Sequence, residues 1–577
     1  MHRRSWSSVI AIAIALLAWG CSVSDEQPGG IAPDRPDAGV DAAVPDDDAG
    51  PTRGSGPIDG DVRRYHYTFD LTTRRATSKL TIDVAPPGGD CFGVGCRTAT
   101  AESPTWNGAP ATSSKLTGST LEMCGAATPA GALEIVASTE VPMQRLYGLD
   151  IGFSRRPDLA DGEFSYLLSW VGNCDRFGPC DPDPAKLVEL HFEVTHSEGM
   201  IVLCPGTLSA GATTTRCDLS GTLAPTYSGF ALAADPLWKR KPFTSAADVD
   251  LVLYEVDGGK IGATLGKASV DAFLVWITDL LGPMPYGREL RVAGAPTRWL
   301  GFEHPANIIV QEDLPSLGTP YADTTMHVLM HEIIHQWSGD RTTLASASDF
   351  VWKEAIAEYL AYVFEDEQRP AGEAARTRAY WDAISLQSQH HPRPTDEPGV
   401  ETFYGDVYGP GPMVLFVQLE PMIGRPAILA AIRAFLSAPG AKSVTDLRLA
   451  LEKASSRDLG KYFDAWVFGA GAPEWPTFAV SFVEAGDQLT VEVTQQNPSS
   501  GIVYGCAVEI EIAGPNTTKR AVVDFGLAPA SAKASTTVTF SGPRTSVTVD
   551  PDHKVIGRAV GATNAVAPAA SQPIWIF

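Results

Sequence analysis

Basic residues are scarce in this chain compared with acidic ones. Its 577 residues include 44 lysines and arginines against 68 aspartates and glutamates, which gives a formal net charge of -24. A nucleic-acid partner requires cations that neutralise its phosphates, so this composition argues against nucleic acid. The chain also lacks a pair of CxxC motifs. A zinc site built from cysteines is therefore not expected.

An apolar run long enough to span a membrane is missing at the N-terminus. The apolar stretch at residues 9–19 follows a basic start and has 11 residues, whereas a membrane helix needs about 20. We therefore predict a signal peptide over residues 1–20. The sequence LAWGC, which ends at Cys21, resembles the bacterial lipoprotein box. This resemblance implies lipidation of Cys21 and a membrane anchor at the outer membrane or cell surface. Simple export to the periplasm or medium is the alternative.

Large hydrophobic residues are almost absent from residues 21–60. Proline, glycine, alanine and aspartate dominate this segment, and from residue 22 on it carries nine acidic residues against two basic ones. Such a composition cannot bury enough apolar surface to fold. We predict a disordered acidic tether here, extended by its own charge repulsion.

Cysteines are few, and without Cys21 their number is even. Eight cysteines remain, and in an exported chain an even number predicts disulfide bonds. The nearest spacings favour three pairs, although spacing alone does not fix the connectivity. These pairs are Cys91–Cys96, Cys174–Cys180 and Cys204–Cys217.

Hydrophobic periodicity divides the rest of the chain into three regions. Residues 61–240 contain short runs of alternating polar and apolar residues, which predict an antiparallel β domain. Residues 241–472 change to longer helical patterns, and beyond residue 473 the period of two returns. The strongest helical patterns cover residues 266–281, 324–337, 350–365, 410–420 and 428–436. The fold class predicted from these patterns is multidomain α+β.

Histidine is rare too, with 11 in the chain, yet two stand four residues apart in the pentad HEIIH. On a helix, His331 and His335 project from one face, close enough to share a metal ion. Glu332 between them is placed to act as a base, and Glu354 on the next predicted helix supplies a carboxylate. The two histidines and Glu354 form a His2Glu set of zinc ligands, which leaves the fourth position of a zinc ion for water. We predict one Zn²⁺ per chain.

The same residues allow other interpretations. Two core histidines and a solvated glutamate pair would need no metal, but unpaired buried imidazole and carboxylate groups are costly. His327 lies one turn before the pentad, and we expect it on the helix surface or supporting a ligand rather than as a fourth ligand. Glu358 is expected to orient a ligand or a neighbouring residue.

The motifs around the pentad resemble those of the aminopeptidase N family of gluzincin metallopeptidases. That family has eighteen residues between the pentad and the zinc glutamate, as residues 336–353 provide here. The stretches LGPMPY at 281–286, LGFEH at 300–304, HQWSGD at 335–340 and YGPG at 408–411 resemble its FGPYPY, GGMEN, HQWFGN and YxKG motifs. The resemblance covers about residues 61–577.

This resemblance implies an architecture for each region. Residues 61–240 would form the family's N-terminal β domain, residues 241–472 a thermolysin-like α/β catalytic domain and residues 473–577 a C-terminal β-sandwich. Because the chain stops soon after the last strand pattern, we expect a short form without the long helical C-terminal domain of many relatives.

The resemblance also implies roles for individual residues in an aminopeptidase that acts on peptides. Tyr408 would stabilise the tetrahedral intermediate, with Tyr404 as a competitor for that role. Glu303 would bind the free α-amino group of the substrate. His304 replaces an asparagine of the motif, however, and a second amine anchor has no clear counterpart. An endopeptidase, a dipeptide-releasing enzyme and a non-catalytic peptide-binding surface lipoprotein therefore stay open as alternatives.

Overall fold

Strands, then helices, then strands again follow one another along the chain, in the order that the sequence predicts. The computed structural model describes residues 56–98, 102–140, 145–146, 149–150, 152–154, 165–169, 174–176, 178–297, 300–317, 321–370, 372–396, 398, 411–496, 501–560 and 563–564. The predicted signal peptide, Cys21, nearly all of the tether, Tyr404 and Tyr408 lie outside these residues. The boundaries at residues 240 and 472 stay predictions.

The first region is built on one large sheet whose strands alternate buried and exposed residues. Along its hydrogen-bonded path the strands are Thr207–Ala210, Thr214–Asp218, Leu187–Thr195, Gly60–Asp70, Arg75–Val84, Gly131–Glu140, Glu102–Trp106 and Ala109–Pro110, and Ala224–Pro225 pairs with Leu187–Thr195 off this path. One face buries Tyr65, Tyr67 and Phe69, and the ring of Phe230 meets that of Tyr67 edge-on at 4.8 Å. The alternation of polar and apolar residues in the sequence thus corresponds to the alternation of exposed and buried side chains along these strands.

The large sheet is not wholly antiparallel, as the sequence analysis expected it to be. Gly60–Asp70 pairs in parallel with Leu187–Thr195, while its other neighbour, Arg75–Val84, is antiparallel. A tight hairpin places the second strand beside the first. The chain then returns to the other edge of the first strand after more than a hundred residues, free to run in the same direction.

Smaller sheets complete the first region. They contain Gly89–Gly95, Thr120–Thr128 and Ser113–Thr117 in one sheet, Gly152–Ser154, Ser165–Ser169, Ala231–Asp235 and Ile201–Leu203 in a second, and Arg145–Leu146 with Leu149–Asp150 in a third.

Two of the three predicted disulfides form, and the third is wrong. Cys174–Cys180 and Cys204–Cys217 are bonded as predicted. Cys91 instead pairs with Cys124, which lies directly opposite it in the neighbouring strand with the Cα atoms 4.0 Å apart. Residues five apart on an extended strand are about 16 Å apart and point to opposite faces, so Cys91 cannot reach Cys96. Cys96 is buried as a thiol.

The middle region combines a five-stranded sheet with eight helices longer than one turn among the described residues. The strand order is Lys239–Ala246, Val249–Glu255, Glu289–Ala295, Asn307–Gln311 and Gly301–Phe302. The helices are α1 (Lys267–Leu281), α2 (Thr324–Ile334), α3 (Phe350–Gln368), α4 (Glu373–Ser385), α5 (Gly411–Ile423), α6 (Arg425–Phe435), α7 (Val444–Ser455) and α8 (Gly460–Trp466). Two-stranded pairs, Thr342–Leu344 with Gly440–Lys442 and Arg393–Pro394 with Phe468–Gly469, tie the connecting loops together.

The five predicted helices are all present, as α1, α2, α3, α5 and α6. Their ends differ from the predicted ones by up to three residues, and α4 and α7 were not predicted. None of the helices in the described ranges is both long enough and apolar enough to cross a bilayer.

The last region returns to strands, as predicted, and forms two four-stranded sheets. The first has the order Lys533–Thr539, Gln488–Gln496, Thr477–Ala485 and Arg558–Val560, and the second Thr517–Asp524, Ala507–Gly514, Ser546–Val549 and Thr563–Asn564. Val491 and Val493 are buried from the first sheet, and Val508, Ile510 and Ile512 from the second. The alternation of polar and apolar residues thus buries one side of each strand.

Candidate active site

Helix α2 carries both histidines of the pentad. Asp323 begins this helix, with its carboxylate accepting the backbone N–H of Met326 at 3.1 Å. His331 lies in the last turn and His335 caps the end, so the two imidazoles project one turn apart. Their Nε2 atoms are 2.8 Å apart, and both side chains are buried. The four-residue spacing therefore brings two ligand atoms together, as predicted.

Glu354 on α3 brings the third ligand atom to the same point. Its Oε2 lies 3.1 Å from Nε2 of His331 and 3.5 Å from Nε2 of His335. A tetrahedral zinc ion with bonds of about 2.1 Å holds its ligand atoms about 3.4 Å apart. The three atoms thus have the spacing and the chemistry of a His2Glu zinc site. The predicted ligand set fits the ion.

Both ligand histidines are oriented through their second ring nitrogen. His335 donates from Nδ1 to the carbonyl of Ser338 at 2.8 Å, and Nδ1 of His331 lies 2.8 Å from Oε1 of Glu358. Partners of this kind fix the ring and leave Nε2 free for a metal. Glu358 therefore lies beside a ligand, at the place where it could have the orienting role that the sequence predicts, and that role stays a prediction.

His327 is buried rather than on the helix surface, and it lies outside the ligand group. Its two nitrogens meet Glu365 at 2.7 Å and Glu358 at 3.1 Å, and the ring of Tyr321 stacks on it at 3.8 Å. Burial lowers the pKa of His327, but the two carboxylates raise it to about 9. A charged imidazolium thus holds Glu358, whose Oε2 also accepts the indole N–H of Trp381 at 2.7 Å.

Glu332 sits beside the ligand group with its carboxylate buried and without a hydrogen-bond partner among the described residues. Burial raises the pKa of Glu332 well above its usual range. A Cβ at Gly301 would lie 2.1 Å from Oε1 of Glu332, so the glycine of the edge strand leaves room for this carboxylate in its present position. An unpartnered acid next to a metal position is suited to exchange protons with water there.

Glu303 follows the same edge strand and is buried, not on a surface loop. Its Oε1 lies 2.8 Å from the ammonium of Lys353, and the same ammonium lies 2.6 Å from Oε1 of Glu354. The structure thus brings Glu303 into the site. It also gives Glu303 a partner that the sequence analysis did not foresee.

Polar side chains after α2 fix the loop that carries Glu303. Gln336 accepts the backbone N–H of Ala306 at 2.8 Å and donates to the carbonyl of His304 at 3.1 Å and to Asp340 at 3.2 Å. Ser228 of the first region donates to Asp340 as well. These bonds give a physical reason for the polar residues that follow the pentad.

Four residues of the site have no predicted role: Lys353, Glu365, Gln336 and Ser228. A signal existed for Lys353, since a lysine next to the ligand Glu354 interrupts an otherwise apolar helix start. Gln336 stands in the HQWSGD stretch and bonds Asp340 four residues later, but no role is predicted for it. Glu365 and Ser228 could not be predicted, because their partners in the site are distant in the sequence. Tyr408 lies outside the described residues, so its predicted role stays a prediction.

Residues 307–466 match the peptidase family M1 domain. A probable aminopeptidase 1 of Sulfurisphaera tokodaii is 23% identical over 240 residues, 39% of this chain and 30% of that protein. Aminopeptidase N of Streptomyces lividans is 28% identical over 160 residues, 25% of this chain and 18% of the relative. Tricorn protease-interacting factor F2 of Thermoplasma volcanium is 26% identical over 194 residues, 31% and 24% of the two chains. The matches span less than a third of each relative's length.

The fold is similar to that of Legionella pneumophila aminopeptidase A, crystallised in complex with aspartic acid. The TM-score is 0.70 at 15% sequence identity, covering 88% of this chain and 60% of that one. At this identity the likeness concerns the fold, and it confirms the multidomain α+β class.

Proposed function

Because the chain belongs to the aminopeptidase N-like family of gluzincin metallopeptidases, we propose that it is a zinc-dependent peptidase that cleaves peptides at their N-terminal end. The observation that carries the proposal is the convergence of His331, His335 and Glu354 beside the carboxylate of Glu332, which has no hydrogen-bond partner in the described part of the chain. Three ligands and an adjacent base are the minimal equipment for hydrolysis by a metal-activated water.

Zinc bound by the three ligands would acidify a water molecule and polarise the peptide carbonyl. Glu332 would accept a proton from the attacking water, since its buried carboxylate has no competing donor among the described residues. It would then give that proton to the leaving amine, which must be protonated to depart. Burial favours this exchange, because it raises the pKa of Glu332 and so makes its carboxylate a stronger base.

The oxyanion of the intermediate needs a donor besides the metal. The proposal assigns this role to Tyr408, on the resemblance of residues 408–411 to the family's YxKG motif. By the same resemblance, the N-terminal end of the peptide is assigned to the loop of Glu303, a buried carboxylate near the ligand group. The relatives named aminopeptidases support cleavage at the N-terminus.

Replacement of the base tests the reaction directly. Glu332→Gln removes the proton acceptor but none of the three ligands, so turnover of aminoacyl p-nitroanilides should fall at least a thousandfold. Zinc content, measured by atomic absorption, should stay near one per chain. The matched control is Glu198→Gln, which changes an exposed glutamate in a turn of the first region and should leave turnover unchanged. Normal turnover in Glu332→Gln would rule the mechanism out.

A zinc-binding protein without catalysis is the second interpretation kept from the sequence. It predicts peptide binding without turnover in the unchanged protein. The orphaned Glu332 favours an enzyme, because a buried carboxylate without a partner is costly to keep for binding alone.

Export and membrane attachment through Cys21 are also part of the proposal. Three disulfides in the described residues support an oxidising compartment. In a bacterial host, the unchanged chain should fractionate with membranes and incorporate labelled palmitate. Cys21→Ala should do neither. If the variant stays with the membrane fraction, the anchor is not at Cys21.

A further inference from the structure

Lys353 places a fixed positive charge inside the site. It precedes the ligand Glu354 at the start of α3, and its side chain is 1% exposed. The ammonium bridges Glu303, at 2.8 Å, and Glu354, at 2.6 Å. A lysine between two buried carboxylates is a built-in cation, because removing it would leave the buried charge of Glu303 without this counter-charge.

The surroundings of Lys353 fit its side chain closely. A Cβ at Gly339 would lie 2.8 Å from Cε of Lys353, and Gly339 has a φ of 122°, a conformation that favours glycine. The hydroxyl of Tyr227 donates to the carbonyl of Gly339 at 3.0 Å and holds that turn in place. The ammonium also lies 4.9 Å from the ring centre of Phe350, within the range of a cation–π contact.

This arrangement bears on what Glu303 can bind. A buried carboxylate next to the ligand group would attract the α-ammonium of a peptide. Here the protein itself supplies an ammonium to that carboxylate. A substrate ammonium brought to Glu303 would meet the charge of Lys353 at close range in a buried site, where repulsion is weakly screened. An uncharged N-terminal nitrogen would not.

We propose that Lys353 takes the place of the substrate's α-ammonium at Glu303, so that the enzyme accepts peptides whose N-terminal nitrogen is uncharged, such as N-acylated peptides. The inference rests on the proposed peptidase function. It makes Lys353 a specificity-determining residue, and it differs from an aminopeptidase in which Glu303 anchors a free amine.

The test compares leucine p-nitroanilide with its N-acetylated form, using the zinc-loaded full chain. The unchanged enzyme should cleave the acetylated substrate with a kcat/KM at least one tenth of that for the free amine. Lys353→Met frees Glu303 for a substrate ammonium, and the ratio should shift at least tenfold toward the free amine. In the double variant Lys353→Met with Glu303→Gln this shift should disappear. Lys241→Met, which removes a lysine paired with Glu255 far along the chain, should leave the ratio unchanged.

Two results would overturn the inference. One is an unchanged enzyme that prefers the free amine more than tenfold, and the other is an unchanged ratio in Lys353→Met. If Lys353→Met does not fold, Glu303→Gln tests the inference instead. It should leave the ratio of kcat/KM between the two substrates unchanged. A tenfold loss of kcat/KM confined to the free-amine substrate would show that Glu303 binds the substrate amine and would overturn the inference.

Binding measurements separate this inference from the proposed reaction. Calorimetry on Glu332→Gln with leucinamide and N-acetyl-leucinamide needs no turnover. The acetylated amide should bind at least as tightly, and adding Lys353→Met should reverse the order. If the unchanged protein hydrolyses neither nitroanilide, the peptidase proposal fails, while the two amides still decide the role of Lys353.

Discussion

Glu358 illustrates how a residue that is not a metal ligand determines the geometry of one. Its Oε1 lies against His331, and its Oε2 accepts from His327 and Trp381. Burial raises the pKa of Glu358, but the two histidines lower it to about 2. The carboxylate is therefore charged and held through Oε2, and it presents Oε1 to the ring of a predicted zinc ligand.

Loss of this carboxylate should weaken metal binding. Glu358→Gln keeps the shape but removes the charge facing His331, so we expect zinc affinity to fall about 10- to 100-fold. Competition with a chelator measures the change. The matched control is Glu365→Gln, which also loses a carboxylate on His327 but does not contact His331. Its zinc affinity should change less than threefold, and equal losses in both variants would contradict the orienting role.

Single residues were predictable from sequence where the chemistry is local. His331, His335 and Glu354 could be named because helical spacing and a fixed interval bring them together. Cys124 could not be named as the partner of Cys91, since that requires knowing which strand lies opposite. The role of Lys353 could not be predicted from the sequence, because it depends on an ion pair with Glu303, fifty residues away.

At the scale of elements, apolar periodicity found the helices that have an apolar inner face. Helix α4 escaped because its inner face is partly polar. Thr377 donates to Glu365, Trp381 to Glu358, and Asp382 meets His553. Such a face does not give a clean apolar stripe. The polar residues on this face of α4 also matter for the site, because two of these bonds are donated to Glu365 and Glu358, the carboxylates that contact His327.

Helix α7 shows a signal that was present and not used. Ser443 accepts the backbone N–H of Asp446, and Asp446 reaches back to the N–H of Ser443. This reciprocal pair is a capping box, and it is readable from the sequence as Ser-x-x-Asp before a helical pattern. The parallel pairing of the first strand, in contrast, follows from long-range topology and has no local signal.

At the scale of the whole molecule, a buried acid lies where the last strands meet helix α4. Asp550 accepts the backbone N–H groups of Lys554 and Val555, each at 2.9 Å. Next to it, His553 lies 3.0 Å from Asp382 of α4. Burial raises the pKa of Asp550 to about 6, and the nearby Asp382 adds to the effect. The folded chain therefore holds this proton more tightly than the unfolded chain.

The sign of the resulting pH dependence follows from that raised pKa. The stability contribution of Asp550 is full below about pH 4 and is lost as the pH rises through about 6, a change of about 3 kcal/mol. Asp550→Asn cannot ionise, and its φ of 49° suits asparagine. Its free energy of unfolding, measured with urea, should rise by about that amount relative to the unchanged protein between pH 4 and pH 8.

Asp552 in the same turn provides a control of opposite sign. Burial raises its pKa, but hydrogen bonds from Arg520 and Lys554 lower it below the usual value. Asp552→Asn should therefore lose stability relative to the unchanged protein as the pH rises to the usual aspartate pKa of 3.8, and its stability relative to the unchanged protein should change little between about pH 5 and pH 8. A parallel pH profile in both variants would show that Asp550 is not the group responsible.

The bond from Ser228 to Asp340 has a consequence for any attempt to dissect the chain. The segment that matches the peptidase domain, residues 307–466, contains Asp340 and Gln336 but neither Ser228 nor the loop of Glu303 and His304. In a fragment trimmed to those limits, the carboxylate of Asp340 would lose its hydrogen bond from Ser228. The side-chain amide of Gln336 would lose its bonds to Ala306 and His304. The smallest unit able to assemble this site thus begins well upstream of residues 307–466, within the first region, which carries none of the predicted zinc ligands.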